Sequence, residues 1–198
     1  MRIQEIKRIY SDFSSYYDRE VKRELHYTAY LRLPELVIGH LDSAAPEILD
    51  LGCGTGLSSL LFFKSGCRVT GVDATRAMLE RAGRLPFRKL ICQDLGKDLK
   101  VKDLSFDAAV MIGVMEYIDD PAALLARVRR KLRRGGVFGL TVPQRSSLYS
   151  EAGLKSYYRK EVEPAMAEAG YTIIGRERIV GIQEGVRRTY FWNYVLKC

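Results

Sequence analysis

The 198-residue chain predicts an α/β fold, a mostly parallel, doubly wound sheet covered by helices on both faces. Three observations carry that prediction. From residue 47 onward, short and nearly continuous apolar runs alternate with segments of helical period, as strands buried on both faces require. A glycine-rich turn, Gly52, Gly54 and Gly56, falls between the first such run and the first such helix. The last two apolar runs follow one another with only a short connection, GIQEGVRR, and read as an antiparallel hairpin at the sheet edge.

In chain order, strands are predicted at residues 47–51, 68–72, 89–92, 106–112, 136–142, 171–180 and 189–197. Helices are predicted at 57–65, 75–83, 121–134 and 159–169. The third of these helices is the best punctuated. Asp119 and Asp120 precede it, Pro121 sits in its first turn, Leu124, Val128 and Leu132 recur every four residues, and Gly135-Gly136 follows. Pro164 lies inside the fourth, where it removes a backbone donor and weakens the first turn. Strand, helix and strand in repetition imply right-handed crossovers. Residues 1–44 obey another rule. Ile3, Ile6, Ile9, Phe13 and Tyr17 mark one apolar stripe, and Leu33, Leu36, Val37 and Leu41 mark a second. These residues are expected to form a cap of two or three short helices over the carboxyl edge of the sheet, leaving 45–198 as the main domain.

Composition narrows the function classes. At 47% hydrophobic and 28% charged residues, the chain is that of an ordinary globular protein rather than a disordered one. No run of about 18 apolar residues occurs and the N-terminus lacks an apolar signal core, so neither a membrane span nor a secretory leader is expected and the chain reads as cytoplasmic. Cys53, Cys67, Cys92 and Cys198 show no C-x-x-C pairing and no histidine cluster beside them, so reduced thiols are expected and no metal. The net charge of +8 would suit a polyanion, and Arg127, Arg129, Arg130, Lys131, Arg133 and Arg134 look like a nucleic-acid footprint. The same helix carries Leu124, Val128 and Leu132, so a solvated basic face far from the ligand edge is the favoured reading, with nucleic acid as the alternative.

The chemistry begins at the glycine-rich turn. Such a turn lets backbone approach a ligand, and its amides favour a negative group. A dinucleotide fingerprint, G-x-G-x-x-G/A, would place Gly or Ala at position 57, where this chain has Leu57. A ligand without a diphosphate follows. Asp73, at the end of the second strand and 23 residues after Asp50, can accept both hydroxyls of a ribose. Asp94, at the end of the third strand, is placed to accept from an adenine amino group. Asp50, Asp73 and Asp94 thus stand in series at the carboxyl edge, where open α/β sheets bind ligands. Asp50 has a second reading, in which it bonds its own loop.

The motifs ILDLGCGTG, GVDAT, CQDL, FDAAVMIGVMEYIDDP and LRRGGVFGLTVP together resemble the class I S-adenosylmethionine-dependent methyltransferases over about residues 45–198. The resemblance implies a Rossmann-like sheet of seven strands in the order 3-2-1-4-5-7-6, the last antiparallel, with S-adenosyl-L-methionine as cofactor. It implies that Asp50, Gly52, Cys53 and Gly54 border the methionine part. Asp73 and Ala74 would border the ribose, Asp94 and Leu95 the adenine, and the backbone of Ile112 and Gly113 the same site. It further suggests that Tyr17 closes over the methionine moiety, although an aromatic at helical spacing also suits a core. The thiol of Cys53 reads as packing, not as a nucleophile. The stretch FSSYYDREVKRELHYTAYLRLPEL is similar to a subgroup related to the Williams-Beuren syndrome chromosomal region 27 methyltransferases.

Methyl transfer of this kind asks a protein to hold a nucleophile in line with the S–CH3 bond and to exclude water. A general base is needed only where the acceptor carries its proton at neutral pH. His26 and Tyr30 in the lead, and Gln144, Arg145 and Tyr149 after the fifth strand, are the candidates for acceptor contact, each with a plain surface or packing role as its rival. The acceptor is expected to be a small molecule. An RNA or protein methyltransferase, or a non-catalytic partner protein of the same fold, is the alternative. Against methylation of a flipped adenine, the fourth strand ends in IGVMEYID without an Asn-Pro-Pro-Tyr-like motif.

Overall fold

A computed structural model of the chain describes residues 2–21, 27–184 and 187–198. The strands β1 (Glu47–Leu51), β2 (Arg68–Asp73), β3 (Lys89–Cys92), β4 (Phe106–Met111), β5 (Leu132–Pro143), β6 (Thr172–Glu184) and β7 (Arg187–Lys197) form one sheet in the order β3-β2-β1-β4-β5-β7-β6. Neighbours among β1 to β5 pair parallel, whereas β7 pairs antiparallel with both β5 and β6. The expected class, strand order and antiparallel last strand are therefore found. No described helix is long and apolar enough to cross a membrane.

Helices cover both faces, because strand residues alternate between them. On one face Leu49, Leu51, Ala109 and Met111 of the sheet pack with Leu124, Leu125 and Val128 of α6 (Pro121–Lys131) and with Val162 and Met166 of α8 (Arg159–Glu168). On the other, Ile48, Val69, Ala108, Val110 and Val137 pack with Phe62 of α4 (Leu60–Lys64) and with Leu33 and Val37 of α3 (Ala29–Ile38). That second contact departs from expectation. The 33–41 stripe does not sit over the carboxyl edge; α3 lies on the sheet face, so close that a Cβ at Gly139 would run into Val37. The lead helix α1 (Ile3–Phe13) does reach the carboxyl edge, and none of its residues is fully buried. Leu33 and Val37 are wholly buried and belong to the core, whereas Ile3 and Ile6 of the α1 stripe face a cavity and Ile9 is exposed.

Several boundaries move for local reasons. The 57–65 segment splits into a 3-10 turn, Leu57–Ser59, and α4, because Gly56 adopts φ +91° and Ser58 and Ser59 turn inward. The helix α6 stops at Lys131 rather than at 134, since Leu132 already pairs with Phe106 of β4 and Gly135 turns at φ +75°. The closing strands extend to Glu184 and from Arg187, so the hairpin connection is far shorter than GIQEGVRR. α8 runs through Pro164, which is exposed. Strand order reverses between β1 and β4, and such a reversal opens a crevice at the carboxyl ends.

Candidate functional site

At that crevice lies a cavity of about 620 Å³, within the usual range for a small-molecule site. Its walls bring together Gly52 and Gly54 after β1, Asp73 and Ala74 after β2, Asp94 and Leu95 after β3, and Ile112 and Gly113 after β4. Tyr17, on the one-turn helix α2 (Tyr17–Arg19), joins them. The glycine turn is built tightly. Gly52 has φ +73° and a Cβ there would strike the Val114 side chain. Gly54 has φ +54° and a Cβ would meet nothing within 4 Å, so its bare backbone faces the cavity. That is a cradle for a ligand, not a packing requirement.

Asp73 organises this loop. Its Oδ2 accepts the Gly54 N–H at 2.9 Å and its Oδ1 accepts the Thr75 N–H at 2.7 Å, just before α5 (Arg76–Ala82). Burial raises its pKa, and the backbone donors oppose that shift. Each oxygen keeps lone-pair capacity for a ligand hydroxyl. Asp94 accepts the Gly96 N–H through Oδ1 at 2.8 Å, which turns the chain after β3 and leaves Oδ2 on a cavity-lining residue. Gly113 adopts φ +67° and donates its N–H to Thr141 Oγ1 at 2.8 Å.

Two residues of the expected cofactor set stand behind the cavity rather than in its wall. Asp50 Oδ2 accepts from Ser58 Oγ at 2.7 Å and Ser59 Oγ at 2.6 Å, and Oδ1 has no partner among the described residues. Its carboxyl ties the turn to the helix that follows, and burial pushes its pKa up to about 6. Of its two readings, this geometry is the structural one. Cys53 is buried, its thiol pKa is raised by burial, and its Sγ would be only 2.8 Å from a Cβ at Gly71. It packs.

The structure brings none of the described acceptor candidates to the cavity wall. The segment after β5 folds back on the sheet instead, with the Gln144 N–H donating to Tyr190 O and the Tyr157 N–H to Pro143 O. Gln144 accepts from Arg178 Nε at 3.1 Å, and the exposed Arg145 donates to Ser156 O at 3.2 Å. Tyr149, on α7 (Ser147–Glu151), is buried edge-on against Phe191. Tyr30 is half-buried on α3. His26 lies outside the described residues.

Other residues stand at or beside the cavity. From α1 come Ile3 and Ile6, the first two residues of the stripe that signalled an amphipathic helix, and Tyr10, which was not part of it. The Tyr10 and Tyr117 hydroxyls lie 2.8 Å apart and join α1 to the 3-10 turn Met115–Tyr117. Beside Tyr117, Glu116 is only 7% exposed, its Oε2 has no partner among the described residues, and burial pushes its pKa up to about 7. A single Glu inside the apolar run VMEYI was the signal that sequence reading passed over. The basic helix also differs from expectation, because Arg127 lines the cavity and donates to Leu95 O at 3.0 Å. Lys131 is buried and paired with Asp103 at 2.6 Å, Arg130 pairs with Asp98 at 2.9 Å, and Arg133 pairs with Asp107. Much of the supposed footprint is committed within the fold.

Residues 49–140, which span β1 to β5 and most of the cavity wall, match the family model described as a methyltransferase domain. Over that stretch the chain is similar to a methyltransferase domain, and its sheet has the class I methyltransferase fold. Among curated proteins, this domain is similar to the ubiquinone biosynthesis O-methyltransferase of Xanthomonas oryzae pv. oryzae, 29% identical over 133 residues, or 63% of this chain and 54% of that protein. The chain thus spans about half the length of that relative. Among solved structures, an S-adenosylmethionine-dependent methyltransferase from Thermotoga maritima superposes with a TM-score of 0.70 at 22% identity, covering 96% of this chain and 98% of that one. Geranyl diphosphate C-methyltransferase from Streptomyces coelicolor A3(2), solved with S-adenosyl-L-homocysteine, gives 0.68 at 18% identity over 83% of this chain and 74% of that one. These likenesses show that the methyltransferase fold is shared.

Proposed function

We propose that this chain is an S-adenosyl-L-methionine-dependent methyltransferase acting on a small-molecule acceptor. The observation that carries the reading is the cradle formed by bare Gly54, Asp73 and Asp94 along one cavity at three successive strand ends. When bound, the cofactor supplies a methyl group on a sulfonium, already activated toward a nucleophile. The protein's part is placement. Asp73 accepts ribose hydroxyls, Asp94 accepts from the adenine amino group, and the backbone around Gly52 and Gly54 borders the methionine portion. Leu95, Ile112 and Met78 provide apolar walls, and α1 with Tyr17 covers the site and keeps water out. The covering role is what supports treating the N-terminal lead as a cap, and its likeness to the chromosomal region 27 group supports placing the chain near that subgroup.

A small-molecule acceptor is supported by the enclosure that α1 provides and by the relative named for ubiquinone biosynthesis. The pairing of Arg130, Lys131 and Arg133 with acidic neighbours speaks against nucleic acid at the basic helix. Calorimetric titration with S-adenosylmethionine and S-adenosylhomocysteine tests the reading. Binding in the micromolar range is expected, and no heat from either at millimolar concentration overturns it.

A further inference from the structure

Among the described residues two buried acids, Asp50 and Glu116, each keep one oxygen without a partner, Oδ1 and Oε2. Glu47 is held by Arg68 at 2.7 Å and by Arg88, and Asp50 by two serine hydroxyls. Buried carboxylates are ordinarily satisfied in this way, since an unpaired one is costly. Glu116 Oε2 has no partner among the described residues, although the backbone of a lysine meets the Glu116 carbonyl. Lys155 donates its backbone N–H to Glu116 O, yet its Nζ turns away to Ile118 O at 2.7 Å and Asp119 at 2.5 Å. Among the described residues, phenols of several packed elements feel the Glu116 charge: Tyr10 of α1, Tyr17 of α2, Tyr27 of the lead, Tyr117 beside it, Tyr149 of α7 and Tyr157 beyond it. Burial raises the Glu116 pKa, and a hydrogen bond from its own backbone opposes the shift.

The position is adjacent to the proposed cofactor cavity. Val114, Tyr117 and Ile118, the near neighbours of Glu116 in the chain, line that cavity, while Glu116 stands behind them among the tyrosines. A carboxylate among phenols, with its Oε2 unpartnered among the described residues, repels phosphates and carboxylates. It suits a ligand that brings the missing positive charge, which the carboxylate can pair and the ring faces can attract.

We infer that Glu116 is the acceptor-binding residue and general base of this enzyme, and that the acceptor is a protonated primary or secondary amine. The inference rests on the methyltransferase reading above. In the step, the ammonium gives one proton to Glu116 Oε2 and keeps the N–H electron pair on nitrogen. That pair forms the new bond to the methyl carbon supplied by the cofactor, and the carbon–sulfur bond breaks with its pair left on sulfur. Glu116 then returns its proton to water.

The test compares three probes of one shape, 2-phenylethylamine, 2-phenylethanol and 3-phenylpropionate, by calorimetry on the full chain saturated with S-adenosylhomocysteine. The amine is expected to bind at least tenfold more tightly than either other probe. Its affinity should rise as the pH rises through neutrality and Glu116 ionises. In Glu116→Gln the preference and the pH dependence should both vanish, while S-adenosylhomocysteine binds within about twofold of the native chain. Equal binding of amine and alcohol by the native chain overturns the inference and needs no variant to show it. So does a Glu116→Gln chain that keeps the preference, or one that loses S-adenosylmethionine but not S-adenosylhomocysteine, since Glu116 would then balance the sulfonium charge. A native chain that binds neither form of the cofactor overturns the methyltransferase reading, and the inference with it.

Discussion

Replacing Asp73 with Asn should weaken the protein before any cofactor is present, and the structure gives the size of the effect. The carboxylate accepts the Gly54 N–H at 2.9 Å and the Thr75 N–H at 2.7 Å, one through each oxygen. The amide keeps one oxygen, so one backbone donor loses its partner and the remaining bond changes from a charged to a neutral one. An unsatisfied buried donor costs about 1–3 kcal/mol, and the change from a charged to a neutral bond about 1 kcal/mol more. Against this, the substitution removes a buried charge whose desolvation already raises the Asp73 pKa. A net loss of about 1–3 kcal/mol is expected. Urea unfolding of the cofactor-free chain reads it as a lower midpoint with an unchanged slope. Calorimetry should then show S-adenosylmethionine bound about ten- to hundredfold more weakly, the scale of one or two lost charged hydrogen bonds. An unchanged midpoint would mean that Asp73 does not hold the glycine loop, and an unchanged affinity that the ribose lies elsewhere.

Further expectations follow from neighbouring residues. Gly52→Ala should cost stability and cofactor affinity together, because its φ of +73° disfavours a side chain and Val114 occupies the space of the new methyl group; a fully native melting curve counts against the observed loop geometry. Ser59→Ala should destabilise the fold by about 1–3 kcal/mol by leaving the buried Asp50 with one fewer donor, as urea unfolding would reveal. Tyr10→Phe leaves the Tyr117 hydroxyl without its α1 partner and should weaken cofactor binding severalfold with little change in the melting temperature, since α1 buries no residue fully. The pH dependence of stability has a definite sign. Asp50, at about 6, and Glu116, at about 7, both lie above the ordinary carboxylate range. Their contribution is present below about pH 4 and is lost as the pH rises through these values, so Glu116→Gln should flatten the decline between about pH 5 and 8. A decline of the same slope in the variant removes Glu116 as its source.

The sheet was legible from the chain because a strand buried on both faces must be apolar almost throughout, and β1, β2, β4 and β5 announce themselves that way. The glycine turn and the acids Asp73 and Asp94 were legible for a related reason, since small residues and carboxylates at strand ends have few packing explanations. Asp50 was not separable from them, because whether a carboxylate faces a ligand or two serines depends on where the next turn folds, and Ser58 and Ser59 turn inward only in the assembled structure. The placement of Gln144, Arg145 and Tyr149 away from the cavity was hidden for the same cause. Gln144, Arg145 and Tyr149 follow β5 in sequence, but β7 pairs beside β5 and draws the segment back onto the sheet.

By itself the amino-acid order determined the α/β class, the strand positions and the glycine-acid constellation, because these rest on periodicity and on residue types adjacent in the chain. Only tertiary structure decided that α3 belongs to the core, that α1 covers the cavity and that Arg127 reaches it. It also decided that Glu116 is buried with its Oε2 unpartnered among the described residues. The physical reason is that a side chain's environment is made by elements distant in sequence. Tyr10 meets Tyr117 across 107 positions of chain, and no local pattern in either segment records the other.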